Sequence, residues 1–375
     1  MATTGRPEEP ATAASDVAAS CREAGLVRLV GAARGDALAA VGLLAGALEA
    51  ANVAHQTRLL GPGATATTAT DADRTIGVGR AVPGAEHVFE TAPVERAFAV
   101  ATELGSPDPV LALAGTLAAG GVAEGAIHEA AMAADIKRRP GLAIPTADPV
   151  DGLAHSTLVH GPFSGDTAAT ASTLEAAGVD VDRPDDRRRL ASLVALEIAA
   201  AAESGTDAGT AVERILRPYA GGPFETVGGY ADVLDALARR EPGLGIAVAL
   251  GHGDAERALE TWRAHGREVH RAVRDATPRR HDGLLVASVE SVEPSALEPV
   301  ARLLRDFRSP EPVVLVRSAD RTVVATTSGR DAAALLAAGS QDREAPVLGD
   351  AQSATIPVAD DALPAAVADA VGRDG

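Results

Sequence analysis

The sequence is poor in cysteine, lysine and aromatic residues and has no long hydrophobic run. Cys21 is the only cysteine among 375 residues, which excludes a disulfide framework and a cysteine-based zinc site. The apolar stretch from Leu38 to Ala51 is too short for a membrane span and is interrupted by Glu49. The N-terminus lacks the basic start and apolar middle of a signal peptide. We therefore expect a cytoplasmic protein that makes no membrane contact.

Positive charge is also scarce. Asp and Glu total 52 against 34 Lys and Arg, the formal net charge is -18, and Lys137 is the only lysine. Such a surface is typical of a halophile protein, because self-repulsion is screened where the Debye length falls to about 3 Å at 1 M salt. High genomic GC content is an alternative explanation for the preference for Arg, but it leaves the acidic excess unexplained. Molar salt also removes most of the counterion-release drive, so the net charge does not exclude a nucleic-acid partner.

The hydrophobic patterns predict more than one core. Aromatic residues are 2% of the chain, so these cores must consist of Ala, Val and Leu. Strands alternate with helices in the first part, which favours a parallel, doubly wound sheet. The predicted strands there are 26–31, 53–60, 75–79 and 87–90, and the predicted helices are 36–52, 93–104, 107–119 and 124–138.

The remainder of the chain divides into a helical part and a second α/β unit. A loop-rich stretch, 140–166, precedes a mostly helical part that ends in a short strand at 245–250 and a long helix at 254–276. The last unit has predicted strands at 284–292, 312–317, 321–327 and 354–358, with helices at 295–307, 331–338 and 364–371. The strands 312–317 and 321–327 are predicted to form a hairpin around Ala319 and Asp320. We therefore predict a disordered tail (1–13), an α/β domain (14–166), a helical middle (167–281) and a smaller α/β domain (282–375).

Four segments of this framework carry motif-like patterns. VRLVGAARGDALAAVGLLAGAL is a strand followed by a helix of small residues, and TIGVGRAV is a strand and its loop. DPVLALAGTLAAG is a helix that contains Ala114 and Gly115. VLGDAQSATIP, near the C-terminus, contains Ala351, Ala354, Ile356 and Pro357.

In order and spacing, these segments resemble the DHH-family phosphoesterases, especially RecJ-like and archaeal GINS-associated nucleases. By this resemblance, Arg34 and Asp36 fall on the two aspartates of an Asp-x-Asp-Gly element. Most of the family's other hallmark positions are replaced, and Asp36 alone remains of the metal ligands. The replacing residues are Ala37 for the glycine, Gly79, Arg80 and Ala81 for Asp-His-His, Ala119 for a further aspartate, Leu348 for a histidine and Ser353 for a glycine. An unrelated Rossmann-like protein is the alternative, since βαβ openings are common.

The resemblance implies a nuclease scaffold with impaired chemistry. The family holds two divalent cations that activate water against a phosphodiester, and a guanidinium at Arg34 cannot coordinate a metal. It therefore implies a pseudo-nuclease or scaffold of DNA replication or repair that needs no cofactor, similar in kind to the catalytically dead RecJ relative in the eukaryotic replicative helicase. Single-stranded DNA or RNA and replication-fork proteins such as GINS are the implied partners. The alternatives are an active Mn- or Mg-dependent single-strand exonuclease or phosphoesterase, and a small-nucleotide sensor.

Acids and histidines crowd the stretch 148–166. Asp151 and His155 share a face if this segment is helical, so they are candidate ligands of a replacement metal site that Asp36 alone cannot form. The alternative is that such groups cap helices and hold a long loop by bonds to the backbone.

The long predicted helix is rich in arginine, in contrast to the acidic excess of the whole chain. Arg263, Arg267 and Arg271 repeat at a spacing of four, and Arg274 follows. One interpretation of this pattern is a surface that binds nucleic acid or an acidic partner. The alternative is that the helix pairs with acidic neighbours within the same chain.

Overall fold

The N-terminal lobe is built on a parallel sheet. A computed structural model describes residues 13–66, 71–178, 186–200, 208–281, 283–327 and 329–374, so nearly all of the predicted tail over 1–13 lies outside the described residues. The sheet has the order β2-β1-β3-β4, and all of its strands are parallel, as predicted. These strands are β1 (Val27–Ala32), β2 (His55–Leu60), β3 (Arg74–Val78) and β4 (His87–Phe89).

Helices of small residues enclose this sheet. They are α1 (Ala14–Glu23), α2 (Gly35–Ala50), α3 (Pro93–Leu104), α4 (Pro109–Ala118) and α5 (Gly125–Ala133). Helix α2 is buried along nearly its whole length. A Cβ added at Gly42 would lie 2.7 Å from the Cβ of Ala249 and 3.1 Å from Leu111, so glycine is what lets neighbouring helices approach this closely.

The middle of the chain is helical. It contains α6 (Pro149–His155), α7 (Thr167–Ala176), α8 (Asp186–Ala200), α9 (Ala208–Ile215), α10 (Val227–Arg240), α11 (Pro242–Ala249) and α12 (Ala255–Asp275). The predicted strand at 245–250 is wrong, because most of that segment belongs to α11. A short apolar run without a clear period does not distinguish a strand from a buried helix. Here Pro242 begins a helix, and Gly245 packs against Leu38 of α2.

The C-terminal lobe has a mixed sheet of the order β5-β6-β7-β8-β10-β9. Strands β6 and β7 are parallel, and β7 and β8 form the predicted antiparallel hairpin. The sequence did not predict β5, a fully exposed edge strand. The strands are β5 (Thr277–His281), β6 (Leu284–Ser288), β7 (Val313–Arg317), β8 (Thr322–Thr326), β9 (Leu348–Gly349) and β10 (Ser353–Ile356). The helices are a short 3-10 turn (Pro294–Ala296), α13 (Leu297–Phe307), α14 (Ala332–Gly339) and α15 (Leu363–Asp374).

The hydrophobic cores connect the helical middle to both lobes. The largest core joins α2 and the N-terminal sheet to α10 and to Trp262 of α12. A second core joins the other end of α12 to α13 and to one face of the C-terminal sheet. Helix α12 therefore fixes one lobe against the other, and the division into domains over 14–166, 167–281 and 282–375 stays a prediction. None of the helices in the described ranges combines the length and apolarity of a membrane span.

Candidate functional site

A single arginine joins the two lobes where β1 meets α2. Arg34 donates from Nη2 to Oδ2 of Asp36 at 2.8 Å and from Nε to Oδ1 at 3.1 Å. Its Nη1 donates to Oδ2 of Asp350, in the C-terminal lobe, at 2.5 Å. The Asp36 carboxylate lies beside Arg34, and together with Asp350 it raises the pKa of this guanidinium further above its ordinary value. The result is an ion-pair bridge, Asp36–Arg34–Asp350.

The position after β3 faces the same bridge. Gly79 has a φ of +67°, and a Cβ at this position would lie 3.0 Å from the Cβ of Ala37 and 4.0 Å from Nη2 of Arg34. The resemblance assigns this position to an aspartate. Arg80, the next residue, points toward the loop after β2, where it donates to the carbonyl oxygens of Leu60 and Ala64.

The end of α4 faces the C-terminal motif. Ala119 is the C-cap of α4, and a Cβ at the following glycine, Gly120, would lie 4.0 Å from Oε1 of Gln352 and 3.5 Å from Nη1 of Arg214. All four motif-like segments therefore meet where the two lobes face each other, around Arg34, Gly79, Gly120 and Asp350, and we call this junction the cleft.

Helix α10 holds the N-terminus of α2 in place. The buried carboxylate of Asp235 accepts a hydrogen bond from the backbone N–H of Gly35 at 2.9 Å and pairs with Arg239 at the same distance. Burial alone would raise the pKa of Asp235, but Arg239 holds it below its usual range. Arg239 also contacts Glu298 of α13, so this network links the cleft to the C-terminal lobe.

The donor set at the cleft does not fit the two cations that the resemblance implies. Both oxygens of Asp36 accept from Arg34, and Gly79, Ala81 and Ala119 offer no side-chain ligand. Throughout the described ranges, no group of three or more His, Cys, Asp or Glu side chains is placed to hold a metal ion.

The candidate pair Asp151 and His155 does meet, on α6. Nδ1 of His155 lies 3.0 Å from Oδ1 of Asp151, but the same carboxylate also accepts from Arg263 of α12. Asp148 and Asp166 cap the N-termini of α6 and α7. These contacts support the alternative in which the polar groups of 148–166 hold the loop and its helices in place.

The arginines of α12 differ in their surroundings. Arg263 pairs with Asp151 at 3.0 Å and with Glu256 at 3.1 Å, and Arg274 donates to the carbonyl oxygen of Ser164. Arg267 and Arg271 are exposed, and neither forms a hydrogen bond or ion pair with another described residue. Internal pairing therefore accounts for Arg263, while Arg267 and Arg271 are open to a partner.

The sequence did not single out Asp350 or Asp235. Asp350 lies inside the motif VLGDAQSATIP, so its position in the motif could have marked it as a candidate site residue. Asp235 gave no signal, because one acid on an amphipathic helix is ordinary.

Comparison with known proteins identifies relatives of the whole chain and of its C-terminal part. A family model described as the C-terminal domain of the uncharacterized protein rrnAC1427 matches residues 276–372. The protein rrnAC1427 of Haloarcula marismortui is 46% identical over 345 residues, which cover 91% of each chain.

Solved structures show the fold. RecJ from Thermus thermophilus, in complex with Mg²⁺, matches with a TM-score of 0.52 at 16% identity over 96% of this chain and 52% of that one. Our chain thus spans about half the length of that RecJ. Exonuclease RecJ bound to manganese matches with a TM-score of 0.50 at 15% identity over 99% and 96% of the two chains. CDC45 from Entamoeba histolytica matches with a TM-score of 0.58 at 9% identity over 96% and 98%.

The low sequence identities to these solved structures show a similar fold and nothing about function. That fold agrees with the two α/β lobes described above. The sequence identity to rrnAC1427 extends over nearly the full length of both proteins and shows that they are homologous. The chain has a RecJ-like fold and belongs to the family of the uncharacterized protein rrnAC1427.

Proposed function

We propose that this protein binds single-stranded nucleic acid in DNA replication or repair and does not hydrolyse it. The observation that carries the proposal is the bridge Asp36–Arg34–Asp350. It fills the part of the cleft to which the resemblance assigns metal ligands.

The chemistry of arginine explains why the bridge argues against hydrolysis. A guanidinium offers donors only and stays protonated in proteins, so it neither ligates a cation nor takes a proton from water. Asp36 is the one acid that remains at the ligand positions, and its carboxylate is already held by two hydrogen bonds. We therefore expect that, among the described residues at these positions, none activates water against a phosphodiester.

The binding half of the proposal rests on α12. Arg267 and Arg271 lie one helical turn apart, about 6 Å along the axis, on an exposed surface. Arginine suits high salt, because its planar fork makes directional, paired hydrogen bonds to phosphate. Proteins of the replication fork are the proposed partners, in line with the similarity of the fold to CDC45.

The alternative is an active Mn- or Mg-dependent exonuclease, which the fold shared with metal-bound RecJ favours. A nuclease assay separates the two. End-labelled single-stranded DNA, RNA and a small phosphodiester are incubated with the protein and MnCl₂ in molar KCl. We expect no product above the background of an Asp36→Ala variant. Metal-dependent turnover that survives in Asp16→Ala, an exposed control, but disappears in Asp36→Ala establishes the exonuclease instead.

A further inference from the structure

The first strand of the C-terminal sheet presents an open edge. Strand β5 (Thr277–His281) lies at one end of this sheet and pairs with β6 alone. All of its residues are exposed, and none belongs to the hydrophobic core on either face of the sheet. Every second residue of an edge strand directs its backbone N–H and C=O away from the neighbouring strand. Apart from its pairing with β6, the backbone of β5 forms no hydrogen bond with another described residue.

The side chains of β5 are basic in a chain with an acidic excess. Side chains alternate along a strand, so Arg279 and His281 share one face and Arg280 lies on the other. Arg280 pairs with Glu311 at 2.7 Å. Arg279 and His281 form no hydrogen bond or ion pair with another described residue. The strand itself carries no acid, although the formal net charge of the chain is -18. The edge therefore combines unused backbone groups with an unused guanidinium.

A second copy of the chain does not suit this edge. Two β5 strands that paired antiparallel about their centres would place Arg279 of each copy opposite Arg279 of the other. Like charges that lie directly opposite each other destabilise a pair of strands. Pro278 also has no N–H to donate to such a ladder. Proline and charge on an edge strand commonly prevent pairing of a protein with itself. A strand that carries carboxylates meets attraction at Arg279 where a second copy meets repulsion.

We propose that the edge of β5 binds an extended, acidic segment of a partner protein as an additional strand of the C-terminal sheet. Backbone hydrogen bonds supply the affinity, and carboxylates at alternate positions of the segment face Arg279 and His281. This mode of binding suits molar salt, because salt screens exposed ion pairs and leaves backbone hydrogen bonds in place. The inference goes beyond the proposed single-strand binding and uses neither Arg267 nor Arg271.

The test uses the full-length protein in molar KCl and fluorescence anisotropy of a labelled peptide in which glutamate alternates with valine or threonine. We expect saturable binding of this peptide and about tenfold weaker binding when glutamine replaces every glutamate. Two further peptides are methylated on the backbone nitrogens of one edge or of the other. A bound strand uses one of its edges to pair with β5, so methylation of that edge should abolish binding and methylation of the opposite edge should not.

The protein variant is Arg279→Glu, and Arg58→Glu is its matched control. Arg58 is an exposed arginine on β2, an edge strand of the N-terminal sheet, and forms no hydrogen bond or ion pair with another described residue. We expect Arg279→Glu to weaken binding of the glutamate peptide at least about tenfold, because attraction becomes repulsion, and the control to leave it unchanged. Arg279→Gln should weaken it about threefold and covers the case in which the reversed charge disturbs the fold.

Absence of saturable binding of the glutamate peptide overturns the inference, and so does equal affinity of wild type and Arg279→Glu. Equal affinity of both methylated peptides contradicts it as well, since charge alone would then attract the peptide. A peptide with the sequence of residues 276–282 stands in for a second copy, and tighter binding of that peptide would assign the edge to self-association instead. Binding of the glutamate peptide that persists when Arg267 and Arg271 are replaced separates this edge from the proposed function.

Discussion

Nη1 of Arg34 donates to Oδ2 of Asp350 at 2.5 Å and so joins residues that lie 316 positions apart in the chain. The same guanidinium holds Asp36 through two further hydrogen bonds. The side chain of Asp36 is 6% exposed and that of Asp350 is 43% exposed, so the two halves of the bridge should differ in strength. The bridge is at once a contact between the lobes and the element that occupies the cleft.

Replacing the exposed end of the bridge and replacing its central arginine should have unequal effects on stability. We expect Asp350→Asn to lower the free energy of unfolding by about 0.5 kcal/mol, because a partly exposed ion pair contributes little. Arg34→Gln should cost roughly 2–3 kcal/mol, because it leaves the buried Asp36 carboxylate without its partner. Urea unfolding in molar KCl measures both. Equal costs for the two variants would show that Asp36 does not depend on Arg34.

The arginines of α12 should separate into one that stabilises the fold and two that bind. We expect the double change Arg267→Gln, Arg271→Gln to reduce the slope of log affinity for single-stranded DNA against log salt by about 2, with nearly unchanged melting temperature. Arg263→Gln should instead lower the melting temperature, because Asp151 loses its ion pair with Arg263. The matched control is Arg188→Gln, Arg373→Gln, a pair of exposed arginines elsewhere. If single-stranded DNA still binds after the first double change, it binds to another surface.

Buried histidines should make the fold sensitive to acid. Nε2 of His270 donates to the carbonyl oxygen of Ser156 at 2.9 Å, so its Nδ1 is left to accept from Nδ1 of His160 at 3.0 Å. Burial lowers the pKa of His270 to about 4, that of His265 to about 3 and that of His160 to about 2. The folded protein therefore keeps these rings neutral at a pH at which the unfolded chain protonates them.

The sign follows from these depressed pKa values. Stability is complete above about pH 6.5, the pKa in the unfolded chain, and falls as the pH drops from there toward 4, by roughly 1.4 kcal/mol per pH unit for each histidine. Urea unfolding between pH 7 and pH 5 measures this slope. It should be smaller in His270→Gln and unchanged in His252→Gln, whose side chain is exposed. The same slope in wild type and His270→Gln would show that His270 titrates normally.

The acidic excess predicts that the fold depends on salt. At a formal net charge of -18, repulsion among carboxylates should destabilise the compact state once screening is removed. We expect the melting temperature to fall steadily when KCl is lowered from about 3 M to roughly 0.1 M, where the Debye length grows to about 10 Å. A melting temperature that stays constant over this range would remove the argument for adaptation to high salt.

Much of the fold could be predicted because its signals are local. The predicted helix at 93–104 coincides with α3, and the turn at Ala319 and Asp320 marked the β7–β8 hairpin. The prediction failed at α11, where an apolar run lacks a clear period and only its packing on α2 decides between strand and helix. Strand β5, which contains Pro278 and two arginines, has little strand propensity of its own and forms by pairing with β6.

The site was predictable only in part, because its contacts join residues that are far apart in the sequence. The resemblance indicated which positions matter, and the structure places Arg34 and Gly79 side by side. The partner of Arg34 was not predictable, since no local pattern relates residue 34 to residue 350. The helical spacing of Arg263, Arg267 and Arg271 indicated a common face, but it did not show that Asp151 on another helix pairs with the first of them.

The most direct test of the account is a titration of Mn²⁺ against the wild-type protein and Asp36→Asn in molar KCl, followed by the electron paramagnetic resonance signal of the free ion. If Arg34 occupies the place of the metals, both proteins should remove the same small amount of Mn²⁺ through scattered carboxylates. A saturable site that is present in the wild type and absent in Asp36→Asn would contradict the account, because Asp36 would then ligate a metal despite its two hydrogen bonds to Arg34.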